Sequence, residues 1–123
     1  MRLGLAFILA ALSACGLLPG PVQGGCTLTL TQDGTVLSAP YRALMLDPVN
    51  GENRIRLIGH GWDTSVAVTQ IDPHGEIAEM RFEADLLAGG FAVLLLSEPG
   101  IFHFVFRDRS GCRLEFDIES RAP

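Results

Sequence analysis

Cys112-Arg113-Leu114-Glu115-Phe116-Asp117-Ile118 alternates without a break, every second side chain apolar and every intervening one charged. Successive side chains of a β-strand point to opposite faces, so this run reads as a strand with one face buried and the other in water. Cys26-Thr27-Leu28-Thr29-Leu30-Thr31 repeats the pattern, with Cys26, Leu28 and Leu30 on one side and three threonines on the other. Arg54-Ile55-Arg56-Leu57-Ile58 does so again, with Ile55 and Leu57 inward. Turn residues separate these runs. Asp33-Gly34 is a hairpin dipeptide, because Gly accepts a positive φ. Glu98-Pro99-Gly100 forms a corner between the strand-like runs Phe91–Ser97 and Ile101–Arg107, and Asp108-Arg109-Ser110-Gly111 turns into the last strand. Val36–Ser38, Tyr41–Leu46 and Ser65–Ile71 are further strand candidates, while Asp47–Asn53 is a polar loop and Gly59–Asp63 ends the strand before it.

Glu76–Ala88 admits two readings. Ile77, Met80, Ala84 and Leu87 stand at helical spacing, with Gly89 as a cap, yet Ala78, Met80 and Phe82 also share one face of a strand. Asp72-Pro73-His74-Gly75 decides for the strand, since it has the chemistry of a type I turn followed by a left-handed residue. A hairpin joining Val66–Ile71 to Glu76–Phe82 is therefore predicted, with Ala84–Leu87 left as a single helical turn. The sum is seven to nine short strands and no long helix, the pattern of an all-β, immunoglobulin-like Greek-key sandwich. The likeness is one of architecture: no Tyr stands two residues before Cys112, and the two strand cysteines lie too far apart for the usual inter-sheet bridge of a true immunoglobulin domain.

The N-terminus does not belong to that domain. Arg2 is followed by Leu3–Ala14, an uncharged stretch in which ten of twelve residues are apolar. It is shorter than the about 20 residues that span a bilayer and matches the apolar core of an export leader. Leu12-Ser13-Ala14-Cys15 resembles the lipobox of bacterial lipoproteins, an aliphatic residue and two small ones before a cysteine. The resemblance implies removal of residues 1–14 and acylation of Cys15 by fatty-acid chains at its sulfur and its new amino terminus. An ordinary secretory leader, cut after Ala14 or near Gly24-Gly25, is the alternative. Gly16 replaces the Asp that resembles an inner-membrane retention signal, which favours the periplasmic face of the outer membrane. Residues 15–25 then form the lipidated Cys and a Gly/Pro-rich tether, and residues 26–123 the folded domain.

With Cys15 assigned to lipid, Cys26 and Cys112 remain as a pair. An exported chain meets an oxidising compartment, and both cysteines lie on the apolar side of a strand, so a disulfide stapling the first strand to the last is expected. A metal or redox pair is the competing reading, though no Cys-x-x-Cys occurs.

The chain carries a formal charge of −5, its nine basic residues are all Arg, and aromatics make up 7%. That balance argues against nucleic acid as a partner, since a phosphate-binding face needs a basic patch. The sequence shows no Gly-x-Ser-x-Gly and no serine or cysteine patterned with a histidine, so no catalytic residues are assigned and a non-enzymatic protein is expected. Partner binding is assigned to His60, Trp62 and Asp63 in the Gly-flanked loop, with Arg54 and Arg56 on the polar side of the neighbouring strand. Trp62 has two readings, an exposed anchor or a core residue closing one end of the sandwich.

The stretch from Pro48 to Phe106 resembles extracytoplasmic β-sandwich domains of the YtkA/FixH type, through Gly51-Glu52-Asn53-Arg54-Ile55-Arg56-Leu57, Gly90-Phe91 and Pro99-Gly100-Ile101-Phe102. That resemblance implies copper handling or oxidase assembly. The alternative function is accordingly periplasmic copper or zinc handling, with His60, His74 and His103 as ligands. No cofactor is assigned to the main reading, a lipid-anchored accessory or binding protein of the bacterial cell envelope. Its expected partners are the membrane, through the anchor, and an envelope protein.

Overall fold

A computed structural model of the chain describes residues 25–42 and 52–121. The leader, Cys15, residues 16–24 of the tether and positions 43–46 of the third strand candidate lie outside the described residues. Along the chain run β1 (Thr27–Gln32), β2 (Thr35–Val36), β3 (Tyr41–Arg42), β4 (Asn53–His60), β5 (Ser65–Ile71), β6 (Ile77–Glu83), α1 (Ala84–Gly89), β7 (Ala92–Leu96), β8 (Gly100–Arg107) and β9 (Arg113–Ser120). They form two sheets, β2-β1-β4-β7 and β3-β9-β8-β5-β6. The connections β4→β5 and β7→β8 both cross from the first sheet to the second, where β5 and β8 pair, as in a Greek-key sandwich.

The alternating sequences explain the interior. Leu30 of β1, Ile55 and Leu57 of β4, and Ala92, Leu94 and Leu96 of β7 point inward from one sheet. Val66 and Val68 of β5, Phe102, Phe104 and Phe106 of β8, and Ile118 of β9 meet them from the other. The phenylalanines stack along their strand and against Phe116, with ring centroids 5.6–5.7 Å apart at the Phe104 and Phe106 contacts. Edge and offset geometries at such distances add to the burial energy.

The ambiguous segment divides as the turn chemistry predicts. β5 and β6 pair antiparallel from Ser65↔Glu83 to Ile71↔Ile77. Asp72 closes the turn by accepting the backbone N–H of His74 and of Glu76 on one carboxylate oxygen, and Gly75 takes φ +87°. The helical spacing then applies only to α1, which buries Leu87 and ends at Gly90 with φ 76°.

Cys26 and Cys112 are bonded, Cα to Cα 6.1 Å, and both are fully buried. Each residue immediately precedes its strand, so the bridge ties the start of β1 in one sheet to the start of β9 in the other. A second cross-sheet tie is polar. Buried Gln32 donates to Asn53 at 3.0 Å, and Asn53 donates to Ser120 at 3.0 Å, linking β1 and β4 to β9. Asn53 was expected in a loop, but its side chain satisfies these partners inside the sandwich, where an amide without them is costly.

Candidate functional site

The outer face of the four-stranded sheet gathers three of the residues assigned to partner binding. β4 alternates strictly, so Arg54, Arg56, Ile58 and His60 all leave the sheet on the side away from the core. Arg56 lies between Thr31 of β1 and Val93 of β7, and Arg54 lies opposite Leu95. Among the described residues neither arginine has a carboxylate within ion-pair distance. With Thr31, Asp33, Gly34 and Val93 they line a shallow groove of about 250 Å³. The strand runs two residues beyond its expected end, through Gly59 and His60, because the break comes at Gly61. Gly61 has φ +82°, and a Cβ there would stand 2.9 Å from the Gly25 carbonyl oxygen.

Trp62 does not join that face: of its two readings the core residue closing one end of the sandwich is the one seen, and the exposed anchor is corrected. It is 9% exposed and donates its indole N–H to the Thr27 carbonyl at 2.9 Å. Its ring packs on Phe106, centroids 6.2 Å apart. The approach needs Gly59, where a Cβ would lie 2.9 Å from the indole nitrogen. The apolar ring closes one end of the core while its N–H finds a backbone partner, the usual requirement for a buried Trp. Asp63, half-exposed beside it, offers its backbone N–H to Asp108 at 2.7 Å. The other Asp108 oxygen accepts the N–H groups of Ser110 and Cys112 and the Ser110 hydroxyl. Burial acts to raise the Asp108 pKa, but the Asp63 bond and those from Ser110 and Cys112 outweigh it, and the group titrates below its ordinary value.

The three histidines occupy different places. His60 is on the outer face of the first sheet, His74 is in the β5–β6 turn, 2.6 Å from Glu98, and His103 is on the outer face of the second sheet. Nor do other ligands gather around them: among the described residues no group of three or more His, Cys, Asp or Glu side chains is arranged to hold a metal. The closest approach to such a group is His103, whose Nδ1 meets Asp117 at 2.5 Å and whose Nε2 meets Glu115 at 2.7 Å. The two carboxylates bind opposite edges of the ring, so they do not converge on one point.

That clamp escaped sequence reasoning, although Glu115 and Asp117 share a strand face and β8 and β9 pair His103 with Asp117. Its chemistry is that of a charge-sensitive staple. The Asp117 hydrogen bond, aided by Glu115 and opposed by partial burial, raises the His103 pKa above 6.5. The His103 bond in turn, with help from Arg113, lowers that of Glu115. A raised histidine pKa adds stability that is full below the unfolded value and is lost as pH rises through the folded one. Denaturant unfolding from pH 6 upward is expected to show this decline in the native chain, and His103→Gln should flatten it. An unchanged profile in the variant would show that the clamp does not contribute.

A second depression, lined by Thr64, Ser65, Arg81, Glu83 and Asp85 among others, lies where β6 enters α1. Arg81 there donates to Ser65, and Thr69 bonds both Glu79 and Arg107, so this face is internally paired. The arginines of β4, without an ion-pair partner among the described residues and flanked by exposed apolar side chains, stand apart from it. The chain matches no family model, no curated protein and no solved structure.

Proposed function

We propose that this chain is a lipid-anchored, non-enzymatic accessory or binding protein at the periplasmic face of a bacterial envelope membrane. The observation that carries the reading is Leu12-Ser13-Ala14-Cys15 directly after the uncharged apolar run. The Cys26–Cys112 bridge supports it, because disulfides persist in exported proteins and are rare in the cytosol. Residues 16–25 extend at most about 35 Å, so the tether confines the domain near the lipid surface. Confinement raises the effective concentration toward a membrane partner without demanding tight intrinsic affinity. Arg54, Arg56 and His60 supply the binding face, and the separate positions of His60, His74 and His103 favour this reading over a three-histidine copper or zinc site.

Cys15→Ser in the full chain is the test. The variant is expected to lose all labelling by a clickable fatty-acid probe and to appear in the soluble envelope fraction. Labelling that survives, or membrane retention without it, would count against the anchor.

A further inference from the structure

Two strands form the edges of each sheet: β2 and β7 in the first, β3 and β6 in the second. An edge strand presents unpaired backbone N–H and C=O groups, and proteins blunt such edges by shortness, charge or proline. β2 is two residues long, and β3 has two described residues. β6 carries Glu79, Arg81 and Glu83 on its exposed side. β7 has none of these devices. It is five residues long, Ala-Val-Leu-Leu-Leu, and among the described residues it pairs with β4 alone. Its outward side chains remain in water, with Leu95 46% exposed and the adjoining Phe91 74% exposed.

Two further observations bear on what covers this edge. The sheet that ends in β7 has four strands and its partner five. The six-residue α1 joins β6 to β7, so both edges lie on the same side of the sandwich. There the inward side chains of β6, Met80 and Phe82, stay half-buried, although their cross-strand neighbours Val68 and Val66 are fully buried. A fifth strand beside β7 would cover them. On the outer face, Arg54 and Arg56 stand one strand in from the edge. A strand added to β7 would run about 9–10 Å from β4, within the combined reach of an arginine and a glutamate.

We propose that β7 receives an extended segment of a partner protein as an additional strand, with apolar side chains turned inward over Met80 and Phe82 and carboxylates turned outward to Arg54 and Arg56. Main-chain hydrogen bonds supply affinity in such strand addition, and the alternate side chains supply specificity. Charge selects this occupant over a second copy pairing through its own β7, whose outward Val93 and Leu95 bring no carboxylate to Arg54 and Arg56; a second copy offering Glu79 and Glu83 of β6 is the outcome that the self-association measurement separates. The inference rests on the binding-module half of the function proposed above and is independent of the anchor.

The test uses the full chain in detergent micelles and a short synthetic peptide alternating glutamate with valine. A peptide of the same pattern with lysine for glutamate is the comparison. The glutamate peptide is expected to bind at least tenfold more tightly by fluorescence anisotropy and to slow hydrogen exchange at β7 amides. R54E/R56E should reverse the preference between peptides. Leu95→Lys, which adds the missing edge charge, should weaken binding tenfold while leaving the melting temperature in place. Equal binding of the two peptides, protection confined to other strands, or protection in the free chain of the β7 amides that point away from β4 would overturn the proposal. So would self-association abolished by Leu95→Lys, which would assign the edge to a second copy. Loss of peptide binding with Cys15 still acylated would refute this inference and leave the anchor standing.

Discussion

Replacing Cys26 and Cys112 together by alanine is expected to lower the unfolding free energy by about 4–5 kcal/mol, the chain-entropy value for so long a closed loop. The two cysteines are 86 residues apart in sequence, so the bridge removes most of the unfolded chain's freedom to separate its ends. Cys112 N–H is held by Asp108, and both cysteines sit in fully buried positions at the start of their strands. Small domains unfold at a total cost of about 5–15 kcal/mol, so the double variant should stand near the threshold of folding at 37 °C. Urea unfolding followed by the emission of Trp62, the single Trp of the chain, measures the change directly. A loss below about 1 kcal/mol would show that the bridge records an oxidising compartment without stabilising the fold. A reduced wild type should track the alanine variant, which separates the covalent effect from the loss of two buried sulfurs.

The strands that the sequence reveals most clearly are those with one wet face. β1, β4 and β9 alternate because their outer faces need threonine or charge and their inner faces need bulk. The β5–β6 hairpin is legible for a different reason. Asp72 and Gly75 are demanded by the turn itself, and that local chemistry overrides the helical spacing of Ile77, Met80, Ala84 and Leu87. β3 is harder to read because its described residues, Tyr41 and Arg42, pair in parallel with the far end of the chain. Nothing local specifies that contact. Asn53 is misleading in the same way, since a buried amide satisfied by Gln32 and Ser120 has the composition of a loop.

The candidate site was legible in part. Arg54, Arg56 and His60 share a face because strand periodicity places them there, and periodicity is readable. The place of Trp62 as a core residue closing one end of the sandwich was one of its two readings; what the sequence does not show is its direction, set by Gly59, which opens a path for the indole to the backbone of β1. The edge at β7 is invisible for a physical reason. Phe91–Leu96 is continuously apolar, which ordinarily marks a strand buried on both faces. Here Ala92, Leu94 and Leu96 are buried, and among the described residues no layer lies above the outward Val93 and Leu95. Sequence hydropathy reports what a strand is able to bury, and only the sheet order tells whether anything covers it.

Phe106→Ala should cost about 3–5 kcal/mol, the usual penalty for emptying a buried aromatic site. Phe106 is fully buried, and its ring touches both Trp62 and Phe116. Alanine would leave a cavity at the end of the core that Trp62 closes, and the indole has little freedom to fill it. Its N–H is tied to Thr27 and its path is confined by Gly59. The emission of the native variant should therefore shift to longer wavelength as well, because water gains access to the indole. Ile101→Ala on the same strand supplies the contrast. Ile101 is 58% exposed and lies on the opposite face of β8 from Phe102, Phe104 and Phe106, so its truncation is expected to cost under about 0.5 kcal/mol. The pair tests the register of β8 as well as the packing: an equal cost at the two positions would mean that the strand does not present its alternate residues to opposite environments. A loss at Phe106 under about 1 kcal/mol, with Trp62 emission unchanged, would show that the end of the sandwich collapses around the gap and that Trp62 is less firmly held than its hydrogen bond to β1 implies.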